Sequence, residues 1–501
     1  MGDGVDLRDR AADADWNDWR WQLRHAVGST DAIARALSLT PREIEGSRRA
    51  ESRGLPIRIT PYYLGLADPN DPSCPVRRQC VPDAREDLDA PGDLFDPLGE
   101  VAHEVAPHLV QRYPDRALLL ATDRCAVYCR FCTRSRMVGG GEGAVSRQAL
   151  EPALAWLRSH PEVRDVIVSG GDPLAMATDR IEHVVAAVRS VRSVETIRLA
   201  TRVPVTLPMR ITHELLEALR PHHPIWVMTH FNHPKELSAE ARVACARLAD
   251  AGFPIMNQTV LLAGINDDDR VLEPLFRDLV RTRVRPYYLL QADPVRGTGH
   301  LRTPLARGID IMERLQGRLS GIALPKFICD TPGGRGKVPL GPDYVIARLP
   351  GKTRLRTFRG EAVDYVDPPR ATPNGSDAAD AASAGNAPNA TPNEGNTPNA
   401  TPNALNAANA PSAIPIAQNA ANAPSATPNA PSAIPIAQIA ANVPSATPNA
   451  PSAIPIAQIA ANVPSATPNA PTVTATANAA NATPSAPNAP KSRLLPLTND
   501  C

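Results

Sequence analysis

The chain runs to 501 residues, 43% of them hydrophobic and 21% charged, with 53 Lys and Arg against 52 Asp and Glu and a formal net charge of +1. A field so close to neutral offers nucleic acid and anionic membranes no general attraction, and no apolar run is long enough to span a bilayer. The first ten residues hold no apolar signal core and the eight cysteines do not look like a disulfide framework, so a cytoplasmic, reducing location is expected.

Near the amino terminus, Thr40-Pro-Arg-Glu43 is a capping box with proline in the first helical turn. It predicts a helical subdomain over residues 1–108, whose tryptophans are candidates for packing on a neighbouring subunit. Cys74 and Cys80 fall in a proline-rich loop. Between Ala117 and Asp293 short apolar runs alternate with helical patterns, the rhythm of a parallel β/α fold. The strands read as Ala117 to Ala121, Val166 to Ser169, Thr196 to Ala200, Ile225 to Met228, Ile255 to Leu262 and Tyr287 to Leu290. Stripes at helical spacing should face the sheet: Leu150, Leu154 and Leu157; Ile181, Val184, Val185 and Val188; Leu272, Leu275, Phe276 and Leu279. Cys245 sits on another such stripe and reads as core. The expected fold class is α/β, a partial (β/α)6 TIM-like barrel over residues 109–340.

In such barrels the polar residues just past the strand ends sit on the catalytic face. The first of these loops holds Cys125, Cys129 and Cys132 in the run Cys-Ala-Val-Tyr-Cys-Arg-Phe-Cys. Four thiolates normally saturate a 4Fe-4S cluster, so three imply a distant fourth ligand or an iron reserved for a small molecule. A structural zinc knuckle is the bland alternative, and this spacing fits its paired CxxC pattern poorly. The spacing resembles the signature of the radical S-adenosylmethionine superfamily. That resemblance implies a cluster whose open iron is chelated by S-adenosylmethionine and whose reduced form yields a 5'-deoxyadenosyl radical. After the second strand come Ser169, Gly170, Gly171 and Asp172, where glycines would let backbone N–H groups approach a ligand. Beside the cysteine loop they resemble the element that holds the amino group of S-adenosylmethionine. Arg202, His230, Gln258 and Asp293 lie at or near the remaining strand ends, and His230 and Gln258 suit nucleotide or cofactor contacts.

A second centre stands at Asp330-Thr-Pro-Gly-Gly-Arg-Gly-Lys337. It lacks the Gly-x4-Gly-Lys spacing and the following Ser or Thr of a phosphate loop. A lysine on a glycine-rich loop beside a reactive site suits a Schiff base with pyridoxal phosphate instead. Beyond it, Tyr344 to Leu349 and Thr353 to Phe358 read as a β-hairpin around Pro350-Gly351, an extension over residues 341–369. From about Arg370 onward Pro, Asn, Ala, Ser and Thr take over, and Pro-Ser-Ala-Ile-Pro-Ile-Ala-Gln recurs at Pro411, Pro431 and Pro451 with a 20-residue period. Several prolines per repeat and no aromatics predict a disordered tail over residues 370–501.

Together the cysteine loop, Ser-Gly-Gly-Asp-Pro-Leu and Pro-Gly-Gly-x-Gly-Lys resemble the lysine 2,3-aminomutase family in order and spacing. So do Trp16-Asn-Asp-Trp-Arg-Trp-Gln22, Ile59-Thr-Pro-Tyr-Tyr63, Asp68-Pro-Asn-Asp71, Arg112-Tyr-Pro-Asp-Arg116 and Val284-Arg-Pro-Tyr-Tyr288, so that the resemblance spans roughly residues 10 to 367. It implies that Cys125, Cys129 and Cys132 hold the cluster and that Lys337 carries pyridoxal phosphate as an aldimine, with Arg112 and Arg116 as anion partners of that cofactor. Asp293 and Asp330 would grip the ε-ammonium of substrate L-lysine and Arg134 its α-carboxylate, and a radical 1,2-amino shift would give L-β-lysine. An external electron donor such as flavodoxin or ferredoxin and a homo-oligomer are implied as well. Glutamate 2,3-aminomutase and a relative acting on a translation-factor lysine are the alternatives within the family, and a non-enzymatic iron-sulfur or zinc protein is the distant one. Two departures stand out: Arg335 replaces a glycine found in some members, and no cysteine lies between Cys329 and Cys501, so no structural zinc is expected.

Overall fold

The computed structural model describes residues 13–141 and 143–368; the repetitive tail expected over 370–501 lies outside the described residues. Ten strands form one open sheet in chain order: β1 (Glu104–Ala106), β2 (Leu109–Tyr113), β3 (Arg116–Thr122), β4 (Asp165–Gly170), β5 (Thr196–Ala200), β6 (Ile225–Thr229), β7 (Ile255–Leu261), β8 (Val284–Gln291), β9 (Lys326–Asp330) and β10 (Lys337–Leu340). From β3 to β9 every neighbouring pair is parallel. The edges turn antiparallel, β1 on β2 on β3 at one side and β10 on β9 at the other.

The six strands read from the sequence are β3 to β8. β9 carries the parallel run one strand beyond the expected (β/α)6 pattern. The additional strands escape the apolar pattern for a physical reason: β2 ends in Gln111, Arg112 and Tyr113, β9 opens on Lys326 and closes on Asp330, and β10 contains Pro339, all tolerable where a strand has an open edge or an open face.

Alternation along the central strands shows which side matters. In β5, Ile197 and Leu199 are buried while Thr196, Arg198 and Ala200 are half-buried, and in β7 Ile255, Asn257, Thr259 and Leu261 alternate in the same way with Met256, Gln258 and Val260. The buried side lies under the helices Arg147–Ser159, Thr178–Arg189 and Asp269–Arg281, whose stripes from Leu150 to Leu279 are buried as their spacing predicts. The half-buried side faces an internal cavity. Parallel sheets usually bury both faces, so this one has kept its inner face for ligands.

Ahead of the sheet, short helices pack into the same core. Thr40 accepts a hydrogen bond from the Glu43 backbone N–H at 3.3 Å and Glu43 Oε2 accepts from Thr40 N at 2.8 Å, the capping box of the helix Pro41–Ser52. Glu43 also clamps the fully buried Arg77, which donates from Nε and Nη2 at 2.7 Å each. Of the tryptophans expected to pack on a neighbouring subunit, Trp16 and Trp19 are buried within their own chain, with the Arg210 guanidinium 4.4 Å from the Trp19 ring, while half-buried Trp21 stacks on His25 at 4.2 Å. Cys245 is core, as read, and Cys74 and Cys80 are buried too.

At the other end the expected hairpin gains a third strand. β11 (Val345–Leu349), β12 (Lys352–Arg356) and β13 (Ala362–Val366) form a separate antiparallel sheet. β13 is tied to β12 by Asp364 with Lys352 and Arg354, so part of its pairing is ionic and leaves no apolar signature. Ile346, Phe358, Val363, Tyr365 and Val366 stay exposed there. Among the described residues no helix is long and apolar enough to cross a membrane.

Removing one partner of a buried ion pair strands the other charge, at a cost of about 3–5 kcal/mol. Glu43→Ala should therefore lower the unfolding free energy by about that amount, measured by urea titration, and by more than the loss of a helix cap, about 1 kcal/mol, would explain.

Candidate active site

The inner face of the sheet opens into a cavity of about 330 Å³. That lies within the range of about 300–1,000 Å³ typical of small-molecule sites. Every site residue picked out from the sequence lines it: the three cysteines, Ser169 to Asp172, Arg112, Arg116, Arg134, His230, Gln258, Asp293, Asp330 and Lys337.

The cysteine loop follows β3, and its three thiols are half-buried. Arg58 Nε donates to the Cys125 carbonyl at 2.9 Å and Arg202 Nη1 donates to Cys129 Sγ at 2.7 Å. Burial pushes the Cys125 thiol well up, reinforced by Asp172 and the other two sulfurs, and burial together with Cys129 pushes Cys132 up to about 11. Thiolates so crowded need a cation to become stable, the condition of a metal site. Among the described residues no three His, Cys, Asp or Glu side chains gather for a single ion; a cluster asks for less convergence, because each thiolate binds a separate iron.

The glycines after β4 pack tightly against the root of the cysteine loop. Gly170 has φ +109°, and a Cβ there would lie 2.3 Å from the Thr122 carbonyl oxygen; one on Gly171 would lie 2.4 Å from that of Arg124. The N–H groups of Gly171 and Asp172 donate to those same carbonyls at 2.5 and 2.8 Å. They are engaged with the root of the cysteine loop and so are not available to a ligand. The Asp172 carboxylate is likewise occupied, accepting from Thr201 Oγ1 at 2.6 Å, Arg202 N at 2.7 Å and Leu174 N at 3.1 Å. Gly170, Gly171 and Asp172 thus lock three successive strand ends together.

Across the cavity, β9 and β10 form a hairpin in which Lys337 lies directly opposite Asp330. Lys337 Nζ donates to Asp330 Oδ2, and Arg112 Nη1 stands 3.5 Å from Asp330 Oδ1. The Tyr113 hydroxyl accepts from Lys337 N at 2.8 Å and so bridges β2 to β10 across the open side of the sheet. Gly334, at φ +75°, passes so close to Leu98 that a Cβ would come 2.6 Å from its carbonyl oxygen.

Arg134 is held by buried Glu100, which accepts its Nε at 2.8 Å and also Arg136 Nη2 at 3.0 Å; Arg134 Nη1 reaches Ser169 Oγ at 3.3 Å. Arg116 pairs with Asp115 at 2.8 Å and lies 4.6 Å from the Tyr113 ring. Burial, then Arg202 and Arg134, lower His230 to about 4, so its imidazole is neutral at neutral pH. The Asp293 side chain has no hydrogen bond or ion pair among the described residues. Burial first, and Asp330 second, raise its carboxyl to about 7. Glu100 gives no sequence signal, because it comes from a segment ahead of the barrel strands, and Tyr113 is legible only as part of the family run Arg112-Tyr-Pro-Asp-Arg116. Tyr287 and Tyr288, stacked at 3.8 Å with their hydroxyls hydrogen-bonded, are legible in the sequence as strand and as part of the family run Val284-Arg-Pro-Tyr-Tyr288, with no site role attached.

Two family models match the chain, one for the radical SAM superfamily over residues 119–272 and one for lysine-2,3-aminomutase over residues 312–396. The L-lysine 2,3-aminomutase of Clostridium subterminale is 46% identical over 362 residues, 72% of this chain and 87% of that protein. That of Bacillus subtilis is 45% identical, covering 72% and 77%. The chain belongs to the lysine 2,3-aminomutase family. The glutamate 2,3-aminomutase of Clostridioides difficile, at 39% identity over 71% of this chain and 84% of that one, is a more distant relative.

Membership in this radical SAM family makes the chain an isomerase that uses a 4Fe-4S cluster and S-adenosylmethionine. The cavity fits anionic ligands: Arg112, Arg116, Arg134, Arg198, Arg202 and Lys337 line it against Asp172, Asp293 and Asp330. That surplus of positive charge suits carboxylate and phosphate groups.

Asp293 makes the ligand-free aminomutase sensitive to pH. An acid whose folded pKa is raised binds its proton more tightly when folded, so stability falls as pH climbs from the ordinary value of 3.8 and levels off above about 7. Asp293→Asn removes this dependence. Its thermal midpoint should exceed the parent's by a margin that grows across that interval and is constant above it.

Proposed function

We propose that this aminomutase interconverts L-lysine and L-β-lysine, with Cys125, Cys129 and Cys132 holding the cluster and Lys337 carrying pyridoxal phosphate. The observation that carries the reading is the Lys337 ammonium lying on Asp330 with unpaired Asp293 lining the same cavity. A primary ammonium already occupies part of the two-aspartate site. With Lys337 holding the cofactor, Asp330 would keep only Arg112 as a partner, and two carboxylates in an enclosed space would call for another cation. The ε-ammonium of lysine meets that requirement.

When bound, the cluster with S-adenosylmethionine supplies radical hydrogen abstraction from carbon, and pyridoxal phosphate supplies the π-system across which nitrogen can move. The chain's own residues bind and orient. Arg134, steered by Glu100, meets the α-carboxylate of the substrate. Arg112 and Arg116 serve the cofactor phosphate. Ser169, His230 and Gln258 face S-adenosylmethionine, while Gly170, Gly171 and Asp172 position the loops around it. The exposed apolar residues of the β11–β13 sheet support a homo-oligomer. A flavodoxin or ferredoxin would deliver the electron, and the cytoplasm is the setting.

The glutamate reading is weaker, because a substrate side-chain carboxylate would meet Asp293 and Asp330. The deciding experiment is anaerobic turnover of the reconstituted chain with lysine and glutamate in parallel. β-Lysine alone supports the proposal; β-glutamate overturns the substrate assignment. Lys337→Ala should lose the pyridoxal absorbance and all turnover. Asp330→Asn and Asp293→Asn should each lower kcat/KM for lysine by roughly 2 kcal/mol or more, about 30-fold, while iron content stays unchanged.

A further inference from the structure

We infer that Arg202 sets the electron affinity of the cluster by holding a positive charge and a donated N–H against the sulfur of Cys129. The inference rests on the reading that the three cysteines hold the cluster, and it concerns a residue just past β5 that none of the binding roles above requires.

Arg202 is buried, and each nitrogen of its guanidinium has a protein acceptor. Nε donates to the His230 carbonyl at 3.2 Å, Nη1 to Cys129 Sγ at 2.7 Å, and Nη2 is shared among Gln79 Oε1 at 2.5 Å, Glu236 Oε1 at 2.6 Å and the Tyr63 hydroxyl at 3.0 Å. Its backbone is held too, since its N–H donates to Asp172. The partners are fixed in turn. Glu236 is fully buried and accepts from the Tyr63 hydroxyl at 2.7 Å, Asn232 N at 2.6 Å and His233 N at 2.9 Å. Gln79 accepts from Asn232 Nδ2 at 2.9 Å through its side chain and from Arg130 N at 2.9 Å through its carbonyl, tying the cage to the cysteine loop itself.

Neutralising Glu236 would account for the Nη2 edge alone. The geometry goes further and aims Nη1 at a sulfur, away from the acid. Such a fixed donor and charge favour the reduced, more negative cluster and raise its potential, because hydrogen bonds to cluster sulfurs and nearby charge are among the main determinants of that potential. Glu236 partly offsets the charge, so the two residues should act with opposite sign.

The test uses the full chain, reconstituted anaerobically as wild type, Arg202→Gln and Glu236→Gln, with iron and sulfide content and the cluster midpoint potential from a redox titration followed by electron paramagnetic resonance. Arg202→Gln should shift the potential to more negative values and Glu236→Gln to more positive ones. An unchanged potential in either variant at wild-type iron content, or shifts of the same sign, overturns the inference; a residue with a purely structural role would not give opposite signs. Should Arg202→Gln fail to hold iron, the near-isosteric Glu236→Gln decides alone, by a positive shift or none. A wild-type chain that takes up no iron overturns the cluster reading itself.

Discussion

A charged side chain removed from water loses several kcal/mol of hydration unless a partner replaces it, and the interior of this sheet is organised by that demand. Glu100 answers Arg134, Glu236 answers Arg202, and Asp330 answers both Lys337 and Arg112. These pairings hold each cation at a fixed place on the cavity wall. The remaining acid, Asp293, has no such partner among the described residues. A cavity lined in this way is selective before anything enters it, since each group a ligand brings must satisfy a charge the chain has left over.

The pairs hold because the backbone beneath them is rigid. The Gly170 and Gly171 backbone packs against the carbonyls of Thr122 and Arg124, and Asp172 joins that contact to Thr201 and Arg202. Side chains at those two glycine positions would force the strand ends apart and carry the cysteine loop with them. At the far side the β9–β10 hairpin sets Lys337 across from Asp330, and Tyr113 ties it back to β2. The sheet therefore remains open as a hydrogen-bonded structure while being closed by side chains. This leaves a cavity without exposing its floor.

Local chemistry was legible along the chain because it is written in neighbouring residues. Three cysteines at fixed spacing, a glycine-flanked lysine, a capping box and six apolar runs each occupy a short stretch, and every site residue they pointed to lines one cavity. The helical stripes were equally readable, since burial on one face imposes a period that sequence records directly. The strands toward the two margins of the sheet were not: β2, β9 and β10 carry charged residues or proline because only part of each is enclosed.

By itself the sequence determined the β/α architecture, the cysteine loop, the lysine on its glycine loop and the family to which they belong. Tertiary structure alone decided which charges meet. Glu100 with Arg134 and Glu236 with Arg202 are each separated by 34 residues, and Arg202 reaches back to Gln79 across 123. It also decided that the glycines after β4 hold two backbones together, with the N–H groups of Gly171 and Asp172 engaged there. The physical reason is the same in each case: such partnerships are set by the packing of strand ends and loops in three dimensions, and no periodicity along the chain encodes them.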